Sequence, residues 1–479
     1  LALPLAAART WRPDPRLVAA ALTLLGALLA LALGYRGLGS GLMPILLVGS
    51  VGGLAILTQP RATAMLLVVL ALTAFKPPLH PMNVAGFSTD VPELLTYGLI
   101  GAWLLTTASG ALHRDNPLAK PIVLLVVAAL VGSAYGLLHQ ADSYVVKGQL
   151  KAYLTYLVAL PLAAYFGTIE QQRRLERWLL GVATAASVYV LALVATGRPV
   201  ASDAIDVPVI TLGTITPAQR VRPSLVALLV LVSLLLIARI AVDGWTPLRV
   251  TQALLFGLVW AFSFNRASWI AVTVSALLLL RFRPGPRRPL RGIRVLVAVL
   301  LLVPPLVVTA SSGSLGPSAK ALVRRASSVV TPRVAKEDSF TDRAGEDRDA
   351  IRALVRSPVF GVGIGTFYGA RRRVYSGALN RFVVIDRPYA HNSLLYAYLQ
   401  LGLLGLAAIV MLGRRVRRTV SRAILWLPIQ DGARCAAAGF AVLGYFVLSL
   451  LQPNLLHRPS ILALCLALAL AVPPQPARP

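Results

Sequence analysis

The sequence predicts an all-α polytopic membrane protein, with about 12–14 transmembrane helices and one large extracytoplasmic loop. Three observations carry that reading. Of 479 residues, 57% are hydrophobic and only 14% charged, and the mean hydropathy is +0.73. Soluble domains use roughly 45–50% apolar and about 25% charged residues. The apolar residues fall in uncharged runs close to the ~20 residues that a membrane-crossing helix needs. The charges fall between those runs, 47 Lys and Arg against 18 Asp and Glu, a net +29. In a soluble chain such a surplus would suggest nucleic acid. Here it has first to be divided between two sides of a bilayer, and no nucleic-acid partner is expected.

Taken in order, the apolar runs between charged or Pro/Gly breaks are 17–34, 42–58, 62–76, 93–108, 119–137, 152–167, 176–196, 223–240, 250–263, 267–280, 295–310, 391–412, 434–451 and 459–472. Leu17 to Gly34 is uncharged and of spanning length, so it reads as the first span and not as a cleaved leader. The runs 250–263 and 267–280 read either as two short helices hinged at Phe264-Asn265-Arg266 or as one long helix broken by buried polar residues. Counted as two, they leave both termini on the same side.

The positive-inside rule orients the chain. With both termini cytoplasmic, 24 Lys and Arg fall on the inner side. They include Arg281, Arg283, Arg287, Arg288, Arg291 and Arg294 in one loop, and Arg414, Arg415, Arg417, Arg418, Arg422 and Arg434 in another. The outer side holds nine, once the 14 in the long 311–390 loop are set aside as largely exempt. Such basic inner segments also attract anionic head groups, at about 1 kcal/mol per residue near the surface.

Three regions follow: N-terminal transmembrane helices over 1–310, an extracytoplasmic loop over 311–390, and C-terminal transmembrane helices over 391–479. The loop begins Ser/Gly-rich at Ser311 to Ser318 and carries an amphipathic helix around Arg343–Arg356. Ile351, Leu354 and Val355 are expected on its apolar face, with Arg348, Arg352 and Arg356 on another. It turns at Ser357-Pro358 into Gly361-Val362-Gly363-Ile364-Gly365. No clear strand precedes those glycines, so they read as a tight loop and not as a dinucleotide fingerprint. Cys435 and Cys465 lie in or beside apolar runs without ligand spacing and read as small buried hydrophobes.

The informative polar residues are cations at outward span ends. Lys147 and Lys151 precede the sixth span, Arg220 and Arg222 the eighth, and Arg266 sits at the break between the ninth and tenth. Arg343 opens the loop helix and His391 the twelfth span. Each alone could snorkel to the interface or cap a helix. An arginine at membrane depth, however, is costly and normally paired or functional. Together these residues describe an outward-facing cationic pocket with one histidine and few acids, suited to an anion such as a diphosphate. Guanidinium forks match phosphate oxygens and keep their charge. Such a pocket could stabilise a departing diphosphate without a metal, while His391 takes a proton from a hydroxyl near neutral pH. His80, His139 and His457 lack metal-ligand spacing, and Asp90 and Glu93 about Pro92 form a helix-start pattern. Neither a metal nor a cofactor is expected.

The stretch Arg387-Pro388-Tyr389-Ala390-His391-Asn392, continuing to Gln400, Gly402 and Gly405, resembles the O-antigen ligase/polymerase superfamily. That family has a His-Asn opening a helix with Gly-x-x-Gly at its far end. Arg343, followed by Pro358, Gly361, Gly363, Gly365 and Phe367, resembles the family's run in its large periplasmic loop. Ser263-Phe264-Asn265-Arg266 resembles its Ser-Arg junction with two residues intervening, and Arg222 falls where an arginine is frequent. The resemblance covers roughly residues 210–412. It implies a fold related to the C-type glycosyltransferases, in a bacterial inner membrane with the active site facing outward. It also implies metal-free transfer of a whole glycan from a polyprenyl-diphosphate carrier to a glycan or lipid-glycan acceptor. Carried over by position, Arg266, Arg343 and Arg222 would bind the diphosphate and His391 would be the base. Arg220, Lys147, Lys151 and Asn392 are further substrate-binding candidates. Gln400 stands where an acid is frequent, so no carboxylate base is expected there. The competing reading is a lipid-linked glycan flippase or transporter. Every Asp and Glu reads as lying in or next to a loop, which weighs against ion coupling.

Overall fold

The computed structural model describes residues 56–73, 82–84, 87–89, 91–108, 116–196, 209–211, 214–216, 223–263, 265–281, 338–369, 372–376, 381–385 and 390–474. The chain divides into two compact units, Leu1–Leu67 with Pro81–Leu112, and Val68–His80 with His113–Pro479. In chain order the helices are α1 (Pro60–Leu72), α2 (Val91–Ala108), α3 (Ala119–Leu138) and α4 (Ser143–Thr155). A 3₁₀ turn (Tyr156–Val158) carries α4 into α5 (Ala159–Tyr165), followed by α6 (Ile169–Ala195), α7 (Pro223–Asp243), α8 (Pro247–Phe262) and α9 (Arg266–Arg281). The last are α10 (Asp338–Arg356), α11 (Ser393–Trp426), α12 (Ile429–Ser449) and α13 (Arg458–Ala471). The all-α class holds. Three short antiparallel hairpins, β1–β2 (Met82–Val84, Phe87–Thr89), β3–β4 (Val209–Thr211, Thr214–Thr216) and β5–β6 (Arg372–Ser376, Arg381–Ile385), are additions that no alternating pattern announced.

Helix starts follow local chemistry. Asp142 caps α4 by accepting from Tyr144 N, Thr168 and Gln171 form a capping box on α6, and Thr246 caps α8 just before Pro247. Among the described residues, five helices are long and apolar enough to cross a membrane: Ala119–Leu138, Ile169–Ala195, Ser224–Asp243, Ser393–Trp426 and Ile429–Ser449. Shorter apolar helices are Pro60–Leu72, Pro247–Phe262 and Arg458–Ala471. The expected spans 17–34 and 295–310 lie outside the described residues, as does most of 42–58.

The second unit is built around α7, α12 and α13. Every residue from Ser460 to Ala471 is buried, and so is the run Asp431–Ala438 of α12. Small side chains let neighbouring backbones approach there, and both cysteines are buried and free, as expected. α3 lies differently. Val123, Val127, Leu130 and Val131 stay exposed along one face, the apolar stripe that a lipid-facing helix presents.

Of the two readings of 250–263 and 267–280, the structure has the two helices, α8 and α9. Other expectations need correction. The run 152–167 is not one helix, because the 3₁₀ turn interrupts it. The basic stretch after residue 412 is no loop. α11 continues to Trp426, so Arg414, Arg415, Arg417, Arg418 and Arg422 ride on its helical extension. At 34 residues the helix is about 50 Å long, beyond a hydrocarbon core of ~30 Å. Glu176 lies inside α6 and is buried, against the expectation that every acid borders a loop. The loop helix also turns a different face inward. Leu354 is 7% exposed, but Ile351 is 52% and Val355 75% exposed. The buried side runs through Glu346, Ala350 and Leu354 because it packs on Ala390, Tyr396 and Leu399.

Candidate active site

The site is organised by the connection between α12 and α13. Pro453 and Pro459 keep residues 450–457 from joining the two helices into one. Gln452 in this connection forms a reciprocal amide pair with Asn265, Gln452 Nε2 donating to Asn265 Oδ1 at 2.7 Å and Asn265 Nδ2 donating back at 3.2 Å. Asn265 also caps α9, its Oδ1 accepting from Ser268 N at 3.3 Å. Arg266 therefore stands at the first position of α9, just after a cap held by Gln452. The Gln452 carbonyl accepts from Ser393 Oγ at 2.5 Å, at the first residue of α11. Leu455 O accepts from Tyr156 OH at 3.1 Å, which ties in the end of α4. Thus the N-termini of α9, α11 and α13 converge on one short connection. Each carries a partial positive charge from its unsatisfied N–H groups, a setting suited to anions.

His391 lies at this convergence. Its ring Nδ1 is 2.7 Å from Glu346 Oε2, and its backbone N–H donates to the same oxygen at 3.2 Å. The imidazole is 25% exposed while Glu346 is 5% exposed. With Nδ1–H assigned toward the carboxylate, Nε2 is left as the acceptor. Asn392 caps α11 by accepting from Leu395 N at 3.1 Å, and its side chain also hydrogen-bonds Asp347. Burial holds the Asp347 carboxyl above its ordinary range, and the nearby Glu346 charge adds to the effect, against the opposing pull of Asn392 and His391.

The loop leading from α10 fixes this geometry. Gly402 interrupts α11 at φ 63, ψ −160, a region used almost only by glycine. The Leu403-to-Leu399 rung of the helix is replaced by two bonds to the loop. Leu403 N donates to Val359 O at 2.9 Å, and Val362 N donates to Leu399 O at 2.7 Å. Ile364 N then donates to Gly132 O of α3 at 2.9 Å. Gly363 comes so close to α3 that a Cβ would lie 2.6 Å from Gly136 N. The Gly361–Gly365 run is thus a tight loop, wedged between α3 and the break in α11. Beneath it Gln149 and Tyr153 of α4 join Tyr396 and Gln400 of α11. Gln400 Nε2 donates to Tyr396 OH at 2.8 Å and also to Gln149, while Tyr153 OH donates to Gln400 Oε1 at 2.9 Å. Gln400 is therefore a buried strut.

Of the residues singled out from sequence, Arg266, His391 and Asn392 are joined through Asn265, Gln452 and Ser393, and Arg343 lies one turn before Glu346 on α10. Lys147 and Lys151 sit on α4, which reaches the site through Tyr156. Arg220 and Arg222 lie outside the described residues, as do His80 and Asp90. His139 instead closes α3, with Nδ1 2.8 Å from Tyr135 O. His457 precedes α13, with Nδ1 2.9 Å from Ser460 Oγ. Sequence reading missed the roles of Glu346, Gln452 and Asn265. A usable signal existed only for Glu346, at the i, i+3 position after Arg343 on an amphipathic helix.

The fold is that of a polytopic α-helical membrane protein, with His391 and Glu346 paired where the N-termini of α9, α11 and α13 meet the α12–α13 connection. Residues 252–410 match the family model described as O-antigen ligase. That third of the chain is similar to O-antigen ligases, which supports glycan transfer of that general type and lipid-linked glycan substrates. The matched segment contains Arg266, Arg343, Glu346, His391 and Gly402. No curated protein matches the chain.

Proposed function

We propose that the protein is a membrane glycosyltransferase moving an oligo- or polysaccharide en bloc from a polyprenyl-diphosphate carrier to an acceptor hydroxyl. The observation that carries this reading is the His391–Glu346 pair set among three converging helix N-termini, inside the family-matched segment. His391 Nε2 takes the acceptor's hydroxyl proton as its oxygen attacks the anomeric carbon. The bond from that carbon to the diphosphate breaks, and its electron pair leaves on the phosphate oxygen. Arg266 and Arg343, with Arg222, Arg220, Lys147 and Lys151, offset the developing charge, so the cationic centre acts mainly in the transition state. Direct displacement inverts the anomeric configuration, and the cations serve where a metal otherwise would. Glu346 orients the imidazole and stabilises the imidazolium. The site faces the extracytoplasmic side of an inner membrane, with both termini cytoplasmic.

The test is transfer in proteoliposomes containing a lipid-linked glycan donor. Arg266→Ala and His391→Ala should each lower turnover by about a hundredfold or more while the protein still inserts. Full activity in both would overturn the site. Activity should persist in chelator, and strict dependence on Mg²⁺ or Mn²⁺ would refute the metal-free mechanism. Carrier movement across the bilayer with no transfer would favour a flippase instead.

A further inference from the structure

The opposite end of the bundle holds a cavity of about 360 Å³ where the start of α6, the end of α7 and the start of α12 meet. α12 has its other end at the Gln452 connection. Its 21 residues put roughly 30 Å between the cavity and the candidate active site, so the two are separate.

Arg173, Arg177, Arg239 and Arg434 line this cavity. The carboxylates beside them are already engaged. Asp431 accepts from Nε and Nη2 of Arg173 at 3.0 and 2.7 Å, and its Oδ1 lies 2.8 Å from Nη1 of Arg434. Glu176 accepts from Arg239 Nε at 2.6 Å. Asp243 accepts from Arg249 Nη2 at 2.8 Å and from Gln430 at 3.2 Å. The guanidiniums are not used up. A guanidinium offers five N–H donors, yet among the described residues Arg239 spends only Nε, and Arg177 only Nε on the Arg173 carbonyl at 3.4 Å. Arg434 is 3% exposed and also donates from Nη2 to Gln172 at 3.3 Å, but its Nε has no hydrogen-bond partner among the described residues.

A lattice serving only to pin three helices would not leave Arg434 Nε unmatched, because a buried unmatched N–H costs about 1–3 kcal/mol, while the remaining donors of Arg177 and Arg239 reach solvent in the cavity. Here donors exceed acceptors around an open cavity. We propose that the cavity binds a phosphate-class oxyanion, either the head group of an anionic phospholipid or free phosphate. Phosphate oxygens fit guanidinium forks, and the N-termini of α6 and α12 add favourable partial charge. The guanidinium surplus does not depend on the transfer reaction.

The full chain would be studied in nanodiscs of phosphatidylcholine, with or without phosphatidylglycerol, by native mass spectrometry and thermal unfolding. Arg177→Gln changes an exposed side chain that bonds only a backbone carbonyl. Arg239→Lys keeps a charge for Glu176 but removes the fork. If the source is lipid, phosphatidylglycerol adducts persist on the wild type above phosphatidylcholine, and both variants lose them. If it is free phosphate, inorganic phosphate raises the unfolding temperature in phosphatidylcholine discs beyond chloride of equal ionic strength. Arg177→Gln then needs about tenfold more phosphate for the same shift. Absence of both effects, or wild-type binding by both variants, would overturn the proposal. Transfer activity plays no part in these readouts, so failure here leaves the His391 site untouched.

Discussion

Replacing Gly402 by alanine tests the loop-into-helix joint that holds His391 and Glu346 in register. A Cβ at residue 402 would lie 2.7 Å from the Phe360 carbonyl carbon and overlap Val359 O. Keeping φ 63, ψ −160 costs a non-glycine residue about 1–3 kcal/mol before that overlap is relieved. The alternative is to regularise α11. That restores the Leu403-to-Leu399 bond but orphans Val362 N and Val359 O, at about 1–3 kcal/mol each. Either route costs about 3 kcal/mol, so opening of the joint becomes roughly a hundredfold more frequent. Hydrogen exchange on purified protein should show that loss of protection at Val362, together with a lower unfolding temperature and reduced transfer. Gly413 of the same helix is the control, because a Cβ there meets nothing within 4 Å. Gly413→Ala should leave protection unchanged and stabilise slightly. Wild-type protection and melting in Gly402→Ala would refute the reasoning.

Glu346→Gln should lower kcat by about tenfold with little change in KM, because it weakens orientation of His391 and not donor binding; partial recovery in Glu346→Asp would mark a positioning role, and an unchanged kcat would remove it. Gln452→Ala breaks the amide pair with Asn265 and the register of α9 against α11, so KM for the donor should rise several-fold while the α8–α9 fold persists by circular dichroism. Asp347 has a folded pKa raised above its ordinary 3.8, so its protonated form favours the folded state. The associated stability is complete below that ordinary value and is lost as pH rises through the folded pKa. Asp347→Asn should therefore raise the unfolding temperature near neutral pH and show no gain in acid. An equal gain at every pH would contradict that assignment.

The candidate site residues could be picked out in the sequence because they are residue types that membranes tolerate only for a reason. Arg266 and His391 stood out as lone polar groups at the ends of apolar runs, and the Gly361–Gly365 run announced a tight turn. Glu346 had a local signal in its spacing from Arg343, but its pairing with His391, 45 residues away, had none. The apolar side of α10 was misread in part: Leu354 is buried as expected, but it is joined by Ala350 and not by Ile351 and Val355, which stay exposed. Gln452 carried no signal at all. An uncharged amide between two spans gains its meaning only from Asn265, 187 residues earlier.

The sequence by itself determined the membrane class, the order of most helices and the surplus of positive charge, because transfer free energy and side-chain charge are properties of each residue and its near neighbours. Tertiary structure alone decided which helix ends meet, which face of α10 turns inward, and that Gly402 trades a helical rung for two bonds to a distant loop. Those outcomes are set by packing between segments far apart in the chain, where one backbone group replaces another as a hydrogen-bond partner.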